Sequence, residues 1–192
     1  VNRVRFILVA TLGVLFLLSL AILAQDKGTA ASPASKASFK YVGAKACKMC
    51  HNSATQGKQF DIWMGSKHSK AYATLATPEA KKVAAEKGIA DPQKSEKCLK
   101  CHVTAYAAPK EMLMPTYSVE EGVSCEGCHG PGEKYKDMKV MKDKKLSMAN
   151  GLVIPDEKTC KGCHNPESPS YKEFKFAEAL KLIAHPKPKP PG

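Results

Sequence analysis

The sequence predicts a mostly α-helical, loop-rich chain of low regular content, and three observations carry that expectation. Helix-capping signals recur along it, whereas no run alternates polar and apolar residues for longer than about four positions, as a strand would. The apolar supply is thin. Of 192 residues 43% are hydrophobic, but much of that share sits in one N-terminal block, and aromatics are only 7% with a single Trp. That is little for a core built from side chains alone. Finally, all eight cysteines fall in four copies of one five-residue motif.

Arg3 and Arg5 precede a run without charge from Phe6 to Ala24. This is the order of a charged n-region and an apolar h-region in an export signal. The run is also long enough to span a bilayer uncleaved. Residues 1–24 are therefore expected to be a signal peptide or an N-terminal membrane anchor through residues 6–24. In both cases the positive-inside rule sends the rest of the chain outward, to a periplasmic or other extracytoplasmic location. Residues 25–40 are small, polar and aperiodic, and read as a flexible linker.

Residues 41–185 are expected to form one domain. Thr77-Pro78-Glu79 opens a helix that Gly88 can close, and Pro155-Asp156-Glu157 opens another leading into Cys160. Ser170 to Glu173 matches a capping box ahead of a helix over 176–184. Phe176, Leu180 and Ile183 fall on one face of it, close to where His185 emerges. The Pro- and Lys-rich residues 186–192 cannot continue a helix and form a tail.

The four motifs are Cys47-Lys-Met-Cys50-His51, Cys98-Leu-Lys-Cys101-His102, Cys125-Glu-Gly-Cys128-His129 and Cys160-Lys-Gly-Cys163-His164. CxxCH is the attachment signature of c-type haem. Two thiols separated by two residues add to the two porphyrin vinyl groups, and the adjacent imidazole lies under the macrocycle as an iron ligand. Paired zinc ribbons would use four CxxC pairs as well, and a thioredoxin-like site would use one. Neither accounts for a His after all four, which at background frequency has a probability on the order of one in a million. The expected cofactors are four covalently attached haem c groups. Four haems on the 145 residues of 41–185 leave little room for anything else. The fold class becomes a mostly α, small, loop-rich multihaem c-type cytochrome, with the polypeptide wrapped around four closely packed haems.

Of the six histidines, His51, His102, His129 and His164 are the proximal iron ligands, which leaves His68 and His185 as distal candidates. At most two irons can then be bis-histidine within one chain. The others take Met, Lys or another subunit's His, or stay open. Met138, Met141 and Met148 are the methionines that follow the third motif.

On these residues the chain resembles the tetrahaem cytochrome c-554 family, from about Lys45 to His185. Trp63-Met-Gly-Ser-Lys-His68-Ser-Lys-Ala71 resembles the family's Trp-containing helix that carries a distal His. Gly122-Val-Ser-Cys125-Glu-Gly-Cys128-His129-Gly-Pro-Gly132 resembles its third motif, and Phe174-Lys-Phe176 leading to His185 its final helix. The resemblance implies that His68 serves the haem on Cys160 and Cys163 and His185 the haem on Cys125 and Cys128. It implies a five-coordinate haem on Cys98 and Cys101. The family also places a distal His about ten residues after the third motif, for the first haem. Here Tyr135 to Met141 has no His. The first iron is then ligated by Met138 or Met141 or stays open or water-bound, and the Lys-rich setting favours the open state.

The charge, +12 from 28 Lys and 2 Arg against 18 acids, excludes an acidic disordered tail, and the composition excludes a polytopic membrane protein and a collagen-like chain. Nucleic acid is not an expected partner, since both Arg lie in the N-terminal segment and no base-reading motif occurs. Redox proteins with acidic docking faces are. The expected function is electron relay between redox partners by an exported tetrahaem cytochrome that is not itself an enzyme. Two alternatives are chemistry on nitric oxide or hydroxylamine at an open iron, and a subunit of a polymeric cytochrome wire.

Overall fold

The computed structural model describes residues 39–187; the expected signal or anchor over 1–24, most of the linker and the end of the tail lie outside them. Ten short helices follow in order. They are α1 (Lys45–His51), α2 (Gln59–Gly65), α3 (Ala71–Thr74), α4 (Pro78–Glu86), α5 (Glu96–His102), α6 (Cys125–His129), α7 (Met138–Met141), α8 (Lys144–Ala149), α9 (Glu157–Lys161) and α10 (Phe176–Ile183). Three 3-10 turns lie between them. Among the described residues the only β pairing is an isolated parallel bridge between Tyr41 and Leu113. The mostly helical expectation is met.

Local signals set several boundaries. Thr77 caps α4 by accepting a hydrogen bond from the Ala80 N–H at 3.2 Å, with Pro78 in the first turn. Gly88, with φ +67°, follows its end. Asp156 opens α9 with a reciprocal capping box to Thr159. Ahead of α10 the expected capping box from Ser170 does not form. The residue at the cap is Lys175, which caps nothing with its side chain, and Tyr171 to Lys175 is irregular. The expected apolar face of α10 is not packed as a core. Phe176 and Ile183 are half-buried, but Leu180 is exposed and no residue of the helix is buried.

The side-chain core is as small as the composition predicts. Among the described residues Leu75, Leu99 and Val103 form one apolar cluster, with Tyr72, Cys98 and Tyr106 packed against it. Polar groups do much of the remaining work. Glu126, only 2% exposed, accepts backbone N–H groups from Val42 (2.9 Å), Gly43 (2.8 Å) and Gly132 (2.6 Å). Glu121 accepts the N–H of Ala44 at 2.7 Å and of Lys45 at 3.4 Å. α1 has no side-chain cap of its own; Glu121 takes the N–H groups of Ala44 and Lys45 at its start, and Glu126 those of Val42 and Gly43 in the turn that leads into it, across 76–84 residues of chain. Gly43 sits in that turn at φ +83°, where a Cβ would come within 2.6 Å of the Thr116 carbonyl. The last two residues of the expected linker are already ordered. Lys40 donates its N–H to Glu133 Oε2 and accepts that of Glu133 through its carbonyl.

Candidate haem sites

Every CxxCH segment lies on or at the end of a helix. A helical turn puts residues i, i+3 and i+4 on one face, so each motif presents both thiols and its imidazole together. α1, α5 and α6 end on the motif His. α9 ends earlier, at Lys161, but the N–H groups of Cys163 and His164 still donate to the Cys160 carbonyl, at 3.1 and 2.9 Å, and keep the helical path.

Two pairs of imidazoles face each other. The rings of His68 and His164 are 5.9 Å apart between centroids, crossed at 87°. Those of His129 and His185 are 6.1 Å apart, crossed at 77°. Imidazoles bound on opposite sides of one metal ion, each at about 2.0–2.1 Å, have centroids about 6 Å apart. Both pairs match that span, in the same combinations that the resemblance implies. His51 and His102 have no such ring partner among the described residues.

Hydrogen bonds prepare these rings for ligation. Nδ1 lies 2.8 Å from the Ala71 carbonyl in His102, 3.2 Å from that of Val153 in His129, and 2.8 Å from that of Ile183 in His185. A carbonyl only accepts, so in each ring Nδ1 carries the proton and Nε2 keeps its lone pair for a metal. Burial lowers the pKa of His68 and His129, and the neighbouring imidazoles add to it, His164 for His68 and His185 for His129. His164 also stacks on Phe174, centroids 4.9 Å apart.

His68 is not on the Trp helix, as expected, but in the turn after it, because α2 stops at Gly65. Its position is fixed from outside. The His68 carbonyl accepts the N–H of Val123 at 2.9 Å, and Trp63 Nε1 donates to the Val123 carbonyl at 2.8 Å. Gly122, at φ +63°, permits this approach, since a Cβ there would meet the His68 oxygen at 2.7 Å.

A cavity of about 840 Å³ is lined by the thiols and imidazoles of the first and third motifs, by His68 and His185, and by Phe60, Ile62, Trp63 and Ile183. Its size lies in the range of cofactor pockets, about 300–1,000 Å³. Gln59 Oε1, Ser66 Oγ and Ser124 Oγ are buried without hydrogen-bond partners, and all three residues line it. A mostly apolar cavity with unanswered polar atoms and six sulfur or imidazole ligands from two motifs suits a bound porphyrin with a polar edge. Of the candidate thioethers, Met138 and Met141 line this cavity and Met148 does not; Met141 is half-buried, while Met138 is 60% exposed.

None of the eight cysteines is joined to another in a disulfide. Cys47 is hydrogen-bonded to Cys125, which raises its pKa strongly and lowers that of Cys125. Cys163 is pushed up to about 11 by burial and by Cys101 beside it. Motif one thus abuts motif three, and motif two abuts motif four. Among the described residues no three His, Cys, Asp or Glu side chains gather around one point as a bare metal ion requires.

Sequence reasoning did not identify Glu121 and Glu126, the polar brace of the first and third motifs. Glu126 occupies a variable position inside CxxCH, where an acid normally faces solvent. The one signal in the sequence is that Glu120, Glu121 and Glu126 lie close together in a Lys-rich chain with few acids.

The model of the family described as cytochrome c554 and c-prime matches residues 46–130, which include the first three motifs. Cytochrome c-554 of Nitrosomonas europaea is 33% identical over 108 residues, covering 50% of this chain and 40% of the relative. The chain therefore aligns with less than half the length of that relative. No solved structure matches the chain.

Proposed function

We propose that the chain is a c-type cytochrome similar to those of the cytochrome c-554 family, which its first three motifs match, and that it relays electrons through four covalently bound haems between redox partners outside the cytoplasm. The observation that carries this reading is the spacing of the two imidazole pairs, His68 with His164 and His129 with His185. Cys47, Cys50, Cys98, Cys101, Cys125, Cys128, Cys160 and Cys163 hold the four porphyrins. His51, His102, His129 and His164 bind the irons proximally, and His68 and His185 complete two of them. Bound haem supplies the one-electron carrier, and ligation by two imidazoles keeps its iron low-spin.

The chain's own residues contribute orientation and electrostatics. The carbonyls of Ala71, Val153 and Ile183 hold His102, His129 and His185 in the tautomer that offers Nε2. The paired motifs, one with three and two with four, bring carriers close enough for exchange without a mobile shuttle. Export is supported by the charged and apolar N-terminal run. Among the described residues no helix is long and apolar enough to cross a membrane.

An acidic partner is supported by Lys136, Lys139, Lys142, Lys144 and Lys145, which are exposed and form no ion pair. The two acids among them, Asp137 and Asp143, are engaged as helix caps. Lys136, Lys142 and Met138 also line the 840 Å³ cavity, so this basic rim borders the first motif. A steered encounter there weakens as salt rises.

The test is the intact mass of the denatured protein together with an EPR spectrum of its oxidised form. Four haem masses and two low-spin bis-histidine irons are expected; a mass short of four haems, or an adduct of metal alone, ends this reading. A second reading, ligand chemistry at an open iron, is favoured by His51 and His102, which lack an imidazole partner. A Soret shift on adding nitric oxide to the reduced protein would support it.

A further inference from the structure

We propose that Glu126, with Glu121 beside it, sets reduction potential: the pair places fixed negative charge at the attachment points of the first and third haems and favours their ferric state. The inference rests on the tetrahaem reading above and adds to it a role for two residues outside the haem ligand set.

Three observations carry it. The first is that the hydrogen bonds around Glu126 favour its carboxylate and oppose the upward push that burial and neighbouring Glu121 give its pKa. Oε1 receives the N–H groups of Val42 and Gly132, and Oε2 that of Gly43, with Val42 also in reach at 3.1 Å. All are donors. A protonated carboxyl would need an acceptor for its own O–H, and none is provided. Glu121 likewise faces the N–H groups of Ala44 and Lys45.

The second observation is that neither charge has a cation. The chain has 28 lysines and an excess of twelve positive charges. Yet none of the ion pairs among the described residues includes Glu121 or Glu126, although both are buried. A buried charge without a counter-charge is destabilising, and two such charges near one another add repulsion. A neutral acceptor at either position would serve the backbone without that cost.

The third observation is location. Glu126 lies between Cys125 and Cys128, and the fields of both carboxylates act on Cys47 and Cys125, whose thiols are in hydrogen-bond contact. These sulfurs are where the first and third porphyrins attach. A ferric haem carries one more positive charge than a ferrous one. A carboxylate fixed in a buried site beside it stabilises the oxidised form, because low dielectric strengthens the attraction, and burial and local charge are established levers on haem potential. The missing counter-charge is thus supplied by the cofactor in its oxidised state. Adding one electron to either haem removes it, so reduction there is disfavoured relative to the same site without the acids.

The experiment is a spectropotentiometric titration of the full-length holoprotein with dithionite, for Glu126→Gln, Glu126→Asp and Glu121→Gln, each first checked by mass for four haems. Glu126→Gln is expected to raise at least one midpoint by about tenfold in the one-electron equilibrium, which is about 59 mV. Glu126→Asp keeps the charge and is expected to stay closer to the parent. If Glu126→Gln fails to assemble, Glu121→Gln makes the same test, with a smaller rise in the same direction. Unchanged midpoints with four haems in place overturn the proposal, as does an equal shift in the Gln and Asp variants, which would mark a loss of packing rather than of charge. A parent protein lacking the first or third haem would instead overturn the tetrahaem reading itself, so the two failures are distinguishable.

Discussion

α1 and α5 carry the same motif in its attachment residues and are held by opposite means. α5 buries Leu99 against Leu75 and Val103, an apolar anchor built within 30 residues of chain. α1 buries none of its residues; Glu121 closes its start and Glu126 holds the turn that leads into it. The motif therefore dictates covalent chemistry and leaves anchoring to its context. An apolar anchor is tolerant of shape but needs area. A carboxylate bound to several N–H groups needs almost no area, but every donor must be in place. Where a haem takes the space of a core, the second solution conserves side-chain volume. α9 shows a third arrangement, since its own Asp156 and Thr159 cap it.

The comparison can be broken at its strongest point by Glu126→Ala. Three buried N–H donors lose their acceptor, at about 1–3 kcal/mol for each one left unsatisfied, so a loss of about 4 kcal/mol is expected in denaturant titration. Hydrogen exchange should accelerate at Val42 and Gly43 and little at Leu99. If both regions loosen equally, the two anchors are not separate. Leu99→Ala is the converse, with an expected loss of about 2–3 kcal/mol and unaltered protection of Val42 and Gly43.

A smaller effect is expected of Trp63→Phe, which removes the bond to the Val123 carbonyl at about 1 kcal/mol. EPR should detect broadening of one low-spin signal as His68 gains freedom; an unaltered spectrum would mean that the Val123 N–H alone positions it. The smallest effect is on acidification. Cap hydrogen bonds from Thr159 hold the Asp156 pKa below its usual 3.8. Its contribution is therefore present above that value and is lost as pH falls through the lower folded value. Asp156→Asn keeps a capping side chain but should lack that acid-side loss in a pH series of circular dichroism melts.

What was legible in the sequence was local. CxxCH, Thr77-Pro78 and Asp156 act within one helical turn, and the structure places them as their chemistry requires. His68 and His185 were identified by elimination, since every other His follows a Cys, and both face a motif imidazole in the fold. The Ser170 box does not form because the chain from Tyr171 to Lys175 is irregular and α10 starts only at Phe176, with Lys175 at its cap. The Glu121 and Glu126 brace was not legible. Its partners are backbone amides, which have no identity in a sequence, and they lie far away along the chain.

That distance has a consequence for how the molecule comes together. The Val42 to Glu126 bond closes a loop of 84 residues, while the Asp156 to Thr159 cap closes one of three. Loop closure grows costlier with length, and contacts between remote segments slow folding. α9 can form as soon as its own residues exist. α1 is made first during synthesis, but the amides at its start and in the turn before it must wait for Glu121 and Glu126 before they find their acceptors. Until then Cys47 and Cys50 stand on a segment without fixed structure, open to whatever joins thiols to porphyrin. The first attachment site is thus made early and locked only when the third motif is made, and the arrival of Glu121 and Glu126 is the event that closes it.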